Sequence, residues 1–367
     1  MSEDIVYIDA ITLENFMRDV FIKLGVPEVD ANIIADVLIT SDLRGIDSHG
    51  IQRCKMYYDR IKAGIYEAKT KIDVIKDGPT TALLDGNCGM GHVIAYKAMQ
   101  MAIEKAKKYG LGAVAVRNST HFGIAGYYSL MAIKEGMIGL AVTNARPSIP
   151  PTFGAEPMLG TNPLTIGAPT DEDFPFLIDC ATSIIQRGKV ELNARINKLL
   201  PENTVIDDKG EILTDPNKVL EKMLERKASL LPLGGKGEDT AGYKGYGYAT
   251  VVELFSAALQ EGIYLRDTLG IVENGQKRLK VGHFFLAINT TSFIDINSFK
   301  KTAGNIMRDL RNSRKIPGEE RIFTAGEKEY IAEKERKQRG IPLNKSLQND
   351  IKIMLNELGL DKYIFPF

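Results

Sequence analysis

The stretch 118–146, NSTHFGIAGYYSLMAIKEGMIGLAVTNAR, decides how this chain is read. A strand predicted over 112–116 delivers the polar cluster Asn118-Ser119-Thr120-His121. Phe122-Gly123 follows, then a helical run over 124–135 that stops at Gly136. A second apolar strand, 138–142, delivers Thr143-Asn144-Ala145-Arg146. Both polar clusters therefore follow the C-terminal ends of strands in a βαβ-like unit, where α/β proteins bind ligands. A histidine in that place exchanges a proton near neutral pH. A histidine merely packed under a loop is the competing reading.

Working outward, the whole chain has 367 residues, 44% of them hydrophobic, enough for two sub-domains with substantial cores. Lys+Arg and Asp+Glu both number 47, so the net charge is zero and no basic bias points to nucleic acid or a membrane surface. No apolar run approaches the roughly 20 residues of a membrane span. The start, MSEDIVYIDA, lacks the basic and apolar regions of a signal peptide. Cys54, Cys88 and Cys180 form no CxxC pair, and the four histidines stand singly, so a reduced, cytoplasmic protein without a metal site is expected.

Upstream, helices read over 11–24, with Thr12 as N-cap, and over 28–42. The second runs into Arg44-Gly45-Ile46-Asp47-Ser48-His49-Gly50-Ile51-Gln52-Arg53. Arg44 and Asp47 pair on the surface in the plainer reading. A helix beginning near Ser48 would set His49 and Arg53 on one face, and an Arg fork beside an imidazole suits an anionic substrate. Short strands follow over 71–75 and 81–84. The turn Gly86-Asn87-Cys88-Gly89-Met90-Gly91-His92 then enters a helix over 93–109. Its glycines do not have GxGxxG spacing and no acidic strand end follows, so it reads as an ordinary helix entry rather than a dinucleotide fingerprint.

Downstream, 147–154 is a proline-rich crossing. Strands read over 164–168 and 176–178, the latter ending in Asp179-Cys180-Ala181-Thr182-Ser183 ahead of a helix over 183–196. Asp179 is an N-cap, an orienter of His121 or a ribose ligand. The polar segment 198–229 reads as an excursion with a short helix at 216–226. Lys244, in Gly242-Tyr243-Lys244-Gly245-Tyr246-Gly247, suits a phosphate or carboxylate, against a plain surface lysine. The next helix, 248–260, carries an apolar face of Val251, Val252, Leu254, Phe255, Ala258 and Leu259. His283 lies in an apolar strand, 281–288, and reads as structural. Helices over 296–312, 325–340 and 344–358 close the chain; the charge run 327–339 reads as a wet face and the apolar tail 363–367 as docked.

Seven segments in this order, RGIDSHGIQR, NSTHFGIAGYY, TNARPSIPPTFG, LGTNPLTIGAP, DCATS, GYKGYG and PGEE, resemble the malate/L-lactate dehydrogenase family that lacks a Rossmann fold, and most of all its malate dehydrogenase branch. Its relatives include L-sulfolactate and ureidoglycolate dehydrogenases and cyclic-imine reductases. The resemblance implies a non-Rossmann α/β fold with a central mixed sheet. It implies a helical domain from 1–72 and 300–367 for dimerisation, a cofactor- and substrate-binding domain over 73–299, and a homodimer that completes the active site. It makes His121 the catalytic histidine, with His49 and Asp179 beside it, and Ser48, Arg53, Tyr57 and Arg146 the substrate contacts. Its cofactor contacts fall on Asn144, Asp179, Cys180, Ala181, Lys244, Pro317, Gly318 and Glu319, for NAD or NADP with NAD slightly ahead. Relatives often carry Ser where this chain has Ala145, and its excursion is longer than in some of them.

The chemistry agrees with the resemblance. Oxidising a 2-hydroxy acid needs a base for the hydroxyl proton, cations for carboxylate and a held nicotinamide. Here His121 supplies the first and Arg53 one carboxylate grip. Arg146 is the candidate for the second carboxylate of malate. The alternatives are another 2-hydroxy-acid dehydrogenase, a cyclic imino-acid reductase, and, from a different class, a catalytically silent ligand-binding protein.

Overall fold

The computed structural model of the chain describes residues 5–367; the opening Met1–Asp4 lies outside them. Strand β1 (Val6–Ile8) leads into helices α1 (Ala10–Lys23), α2 (Glu28–Leu43) and α3 (Ile51–Lys62). Next come β2 (Asp73–Asp77), β3 (Thr81–Asp85), α4 (Gly91–Tyr109), β4 (Leu111–Ser119), α5 (Gly126–Lys134) and β5 (Met137–Thr143). The proline-rich crossing precedes β6 (Leu164–Ala168), β7 (Phe176–Cys180), α6 (Arg187–Arg195), β8 (Val205–Asp207), α7 (Pro216–Leu224) and β9 (Ala228–Leu230). Helix α8 (Gly242–Ser256), hairpin β10 (Ile271–Glu273) and β11 (Gln276–Arg278), then β12 (Val281–Asn289) complete the middle of the chain. The last elements are α9 (Ile296–Asn312), α10 (Glu327–Arg339), β13 (Ile341–Leu343) and α11 (Lys345–Leu358).

Seven strands form one mixed sheet in the order β2-β3-β4-β12-β5-β6-β7. Only β3 and β4 pair in parallel; every other neighbour is antiparallel. The βαβ-like reading of 118–146 is corrected in one respect. β4 and β5 do run parallel, but β12, more than a hundred residues downstream, lies between them. Alternation along β12 serves both faces. Phe285 enters the core under α4 and α5, while Phe284 stacks on Phe255 of α8, with 4.9 Å between ring centroids.

A second core joins the two chain ends. α1, α2, α3 and α11 pack around Phe16, Phe21, Leu38 and Tyr57, and β1 pairs with β13. The tail docks there as expected, Tyr363 and Phe365 meeting Phe16 edge-on at 5.5 and 5.4 Å. α9 instead packs beside the 171–172 turn through Arg308–Asp171 and Arg311–Glu172. The excursion shares a small core with the flanking α6 and Leu230, made of Val190, Leu200, Val205, Val219 and Leu230.

Some expectations are overturned. Asp9, not Thr12, caps α1, accepting from Thr12 N–H at 2.9 Å. The stripe assigned to the helix after Gly247 is largely outward: Val251, Leu254, Phe255 and Leu259 are exposed, and Val252 alone of the helical residues in that stripe is buried. α8 docks through Gly242, Gly245, Ala249, Val252, Glu253 and Ser256. Small residues let its backbone approach β12 so closely that a Cβ on Gly282 would lie 1.7 Å from Ser256 O. Apolar spacing alone does not predict so close an approach. The charged helix α10 is not merely wet either. Glu333 pairs with Arg44 at 3.6 Å, and Arg336 pairs with Asp47 and donates to Asp42 O. Arg44 and Asp47 thus bind α10 rather than each other.

Candidate active site

The site begins with a backbone irregularity. Val281 pairs with Ser119 and His283 with Val116, so β4 spends one more residue than β12 over the same span. Asn118 sits at φ 52°, the left-handed region, within this bulge. Such bulges re-aim the side chains that follow. Each residue of the cluster is then held separately. Asn118 Nδ2 donates to Asp85 Oδ2 (2.8 Å), and Ser119 Oγ lies 2.7 Å from His283 Nε2. Thr120 Oγ1 donates to Gly89 O (2.8 Å) and accepts from Gly91 N–H (2.9 Å). His121 Nδ1 meets the Tyr57 hydroxyl at 2.5 Å.

The glycine-rich turn before α4 serves this packing. A Cβ on Gly91 would lie 2.1 Å from Thr120 O, so the glycine allows backbone to cross backbone.

His49 comes to His121 from the helical layer. Its ring stacks on that of His121 with centroids 5.6 Å apart and a 20° tilt, and Ser48 Oγ lies 2.8 Å from its Nδ1. The expected single helix through Ser48, His49 and Arg53 does not form. Asp47–His49 is one turn of 3-10 helix, Gly50 breaks it, and α3 starts at Ile51, whose N–H donates to Asp42 Oδ2 at 2.8 Å. Arg53 still reaches the site by folding back, its Nε donating to Ser48 O at 2.7 Å.

Arg53, Tyr57 and Arg60 stand at i, i+4 and i+7 of α3 and share one face, a spacing legible in the sequence that the reading above did not use. Arg60 donates to the Tyr66 hydroxyl and its guanidinium lies 5.2 Å over that ring. Arg146 arrives from the end of β5 in a recess that keeps solvent access. The recess first, then the like charges of Arg60, Arg187 and Arg53, lower its pKa. Arg187 opens α6, is bonded to Glu191 at 2.9 Å, and has no local sequence signal. Among the described residues Arg53, Arg60 and Arg146 form no ion pair with a carboxylate.

Burial in this cationic hollow lowers the pKa of the imidazoles. His49 falls to about 4 through burial and then Arg53. His121 falls well below its usual 6.5, through burial first, then His49, Arg53, His92 and Arg60. His92, fully buried with its ring edge-on to Tyr57 at 4.6 Å, falls to about 3 through burial and then His283. A neutral His121 is the form that accepts a proton.

Other expected residues lie differently. Asp179 ends neither as helix cap nor as orienter of His121: it sits inside β7, and α6 starts only at Arg187. Its carboxylate accepts from Gly126 N–H and from the Thr165 hydroxyl, both at 2.8 Å, which anchors the start of α5; burial raises its pKa. Tyr57 spends its hydroxyl on His121, which makes it the orienter in place of an acidic residue. Asn144 is 1% exposed and committed within the chain. Its Nδ2 donates to Glu253 and Ile263 O, and its Oδ1 accepts from Gly282 N–H. Lys244 is exposed, its ammonium 5.8 Å over Tyr243. Pro317, Gly318 and Glu319 lie in an exposed loop after α9, and Cys180 and Ala181 are half-buried beyond Asp179. Neither Lys244 nor 317–319 is hydrogen-bonded to the His121 cluster.

The same arrangement of elements recurs in known proteins. A family profile described as malate/L-lactate dehydrogenase matches residues 8–352. The malate dehydrogenase of Pyrococcus abyssi is 44% identical over 98% of this chain and 97% of its own. The L-sulfolactate dehydrogenase of Methanocaldococcus jannaschii is 40% identical over 94% of each. The crystal structure of malate dehydrogenase from Entamoeba histolytica superposes with a TM-score of 0.94, at 45% identity, over 99% of this chain and 100% of that one. A mixed sheet carrying a half-open histidine among unpaired arginines, together with this near full-length likeness, establishes that the chain belongs to the malate/L-lactate dehydrogenase family.

Proposed function

We propose that this protein is a malate dehydrogenase that moves hydride reversibly between NAD or NADP and (S)-malate/oxaloacetate. One observation carries the reading: Arg53 and Arg60 act electrostatically on both His121 and Arg146, and none of these three arginines has a carboxylate counter-ion among the described residues. Clustered cations repel at close range, and a dianion relieves them. Malate brings two carboxylates, whereas lactate brings one. The relatives named as malate dehydrogenases support the same substrate. The sulfolactate relative supports a second reading, because a distal sulfonate offers the same cations the same charge.

In this reading Arg53 holds the carboxylate next to the reacting carbon in bidentate fashion and Arg146 holds the distal one. His121 takes the hydroxyl proton on Nε2 as the C–H electron pair departs, and Tyr57 steadies its Nδ1. His49 closes the stack behind it. When bound, the nicotinamide supplies the hydride acceptor. The residues present fit such a cofactor. Lys244 is an exposed ammonium on the first turn of α8, and Gly247 beside it meets nothing within 4 Å of an added Cβ, leaving room for a phosphate. Cys180, Ala181 and the exposed 317–319 loop would take other parts of it. We read the assembly as a cytoplasmic homodimer; the outward Tyr248 and Leu254 of α8 and Leu259 just beyond it, each more than half exposed, support a protein partner there.

The test is a panel of oxaloacetate, pyruvate and sulfopyruvate against both reduced cofactors, on wild type and Arg146→Ala. Oxaloacetate should be the best substrate, and Arg146→Ala should lower its kcat/KM by about 100-fold more than that of pyruvate. Equal losses on both acids would remove Arg146 from the distal position, and preference for pyruvate would remove malate.

A further inference from the structure

His283 lies in the middle strand of the sheet, and its ring has no solvent exposure. The reaction does not use it, yet it touches both flanks of His121. Its Nε2 is 2.7 Å from Ser119 Oγ, two residues before the base. Its ring centroid lies 4.4 Å from that of Phe122, one residue after the base, with a 2° tilt. Phe122 is stacked in turn on Tyr128, at 5.0 Å, and Tyr128 Oη donates to Phe122 O. On its other edge, His283 Nδ1 is 2.8 Å from Thr143 Oγ1, three residues before Arg146. One imidazole thereby ties the strand end that bears the base to the strand end that bears the distal cation.

The partners fix its tautomer. Thr143 has one hydroxyl proton, and Oγ1 stands 2.9 Å from Gly282 O and 3.1 Å from Asn144 O, neither of which can donate. The proton therefore points at a carbonyl, and Thr143 accepts from His283 Nδ1–H. Nε2 is left as an acceptor for the Ser119 hydroxyl, for which the described residues offer no other partner. Burial lowers the pKa of the ring to about 3, outweighing the backbone of Thr120 and Gly282, which favour its charged form, so the ring stays neutral over the working range.

We propose that His283 is a positioning residue: it clamps the bulged end of β4 to the end of β5, so that His121 and Arg146 address one substrate molecule. The clamp rests on the dehydrogenase reading above, and it predicts that its two arms fail differently. Ser119→Ala releases the side of the base and should lower kcat about 10- to 100-fold with KM little changed. Thr143→Val releases the side of the cation and should raise the KM for oxaloacetate several-fold while kcat holds. His283→Phe, which keeps the stack and loses both bonds, should show both effects, and His283→Gln should recover part of them.

Kinetics are to be measured per folded enzyme, with thermal melts alongside. In parallel, NMR of the protein labelled with 15N-histidine reads the tautomers directly. A slowly exchanging Nδ1–H on His283, and a shift of the His121 signals in Ser119→Ala, are the expected result. If Ser119→Ala and Thr143→Val lower only the melting temperature, leaving kcat, KM and the His121 signals as in wild type, the clamp is overturned. A wild type that turns over none of the acids would sink the functional reading alone, and the NMR arm would still decide the clamp.

Discussion

Replacing Tyr57 by Phe tests how the base is held. The hydroxyl lies 2.5 Å from His121 Nδ1, and the ring is fully buried between Phe21 and His92, so Phe keeps the packing and removes one oxygen. Among the described residues the one other hydrogen-bonding group at Nδ1 is Gly123 N–H, at 3.4 Å a weak donor. A neutral buried hydrogen bond contributes about 1–1.5 kcal/mol, so a transition state relying on it slows about 10-fold. The bond matters more as reaction proceeds. Once Nε2 has taken the substrate proton, Nδ1–H must donate, and the Tyr57 oxygen is there to accept. Burial raises the Tyr57 pKa, so the hydroxyl serves as a dipole and is never the proton source. The assay is steady-state oxidation of malate, with kcat and KM separated, alongside a thermal melt. Tyr57→Phe should lose about 10-fold in kcat with KM within about twofold and the fold intact. A kcat within twofold of wild type refutes the orienting role. A loss as large as that of His121→Ala, about 10²–10⁴, shows that Tyr57 does chemistry of its own.

Further outcomes follow from the same geometry. Since burial and neighbouring cations lower the His121 pKa, its base form survives below pH 6.5, and the acid limb of kcat/KM for malate oxidation should fall below that value; a limb at or above 6.5 contradicts this. All four histidines are depressed in the fold, so the unfolded chain takes up more protons as pH falls through 6.5, and stability should decline from pH 7 to 5. The raised carboxyls of Asp42 and Asp179 act in the opposite sense and soften the decline, which melts across that range would measure. In Gly50→Ala the new Cβ would lie 1.9 Å from Asp42 Oδ1, forcing that carboxylate off Ile51 N–H; denaturant titration should show about 1–3 kcal/mol lost. Arg336→Ala frees Asp47 and the Asp42 carbonyl, so the His49 turn should loosen and the KM for oxaloacetate rise, with little change if the turn holds itself.

Much of this site is legible from short range. The cluster Asn118 to His121 announces itself because four polar side chains in a row at a strand end each need a partner, and each has one. The pair His49 and Arg53 is also found, though Gly50 and a buried Asp42, not a shared helix face, bring them in. What stays hidden depends on distant chain. The insertion of β12 between β4 and β5 leaves no mark in either strand. The face of α8 is inverted because glycines, which carry no hydropathy, make its closest contact. Asn144 and Asp179 look like free ligands until their partners, Gly282 and Gly126, are placed beside them. Arg187 joins the cations only through the placement of α6, far along the chain from them.

The position of β12 also governs when the molecule can come into being. A ribosome delivers β4 and β5 early, each with a raw edge facing the gap between them, and more than a hundred further residues must emerge before that gap can be filled. Until then the growing chain holds two unfinished sheet fragments, and Ser119 and Phe122 lack the ring of His283 between them. The closing pairings are of long range and therefore slow, so the stage at which this protein most needs shielding from aggregation is its own synthesis.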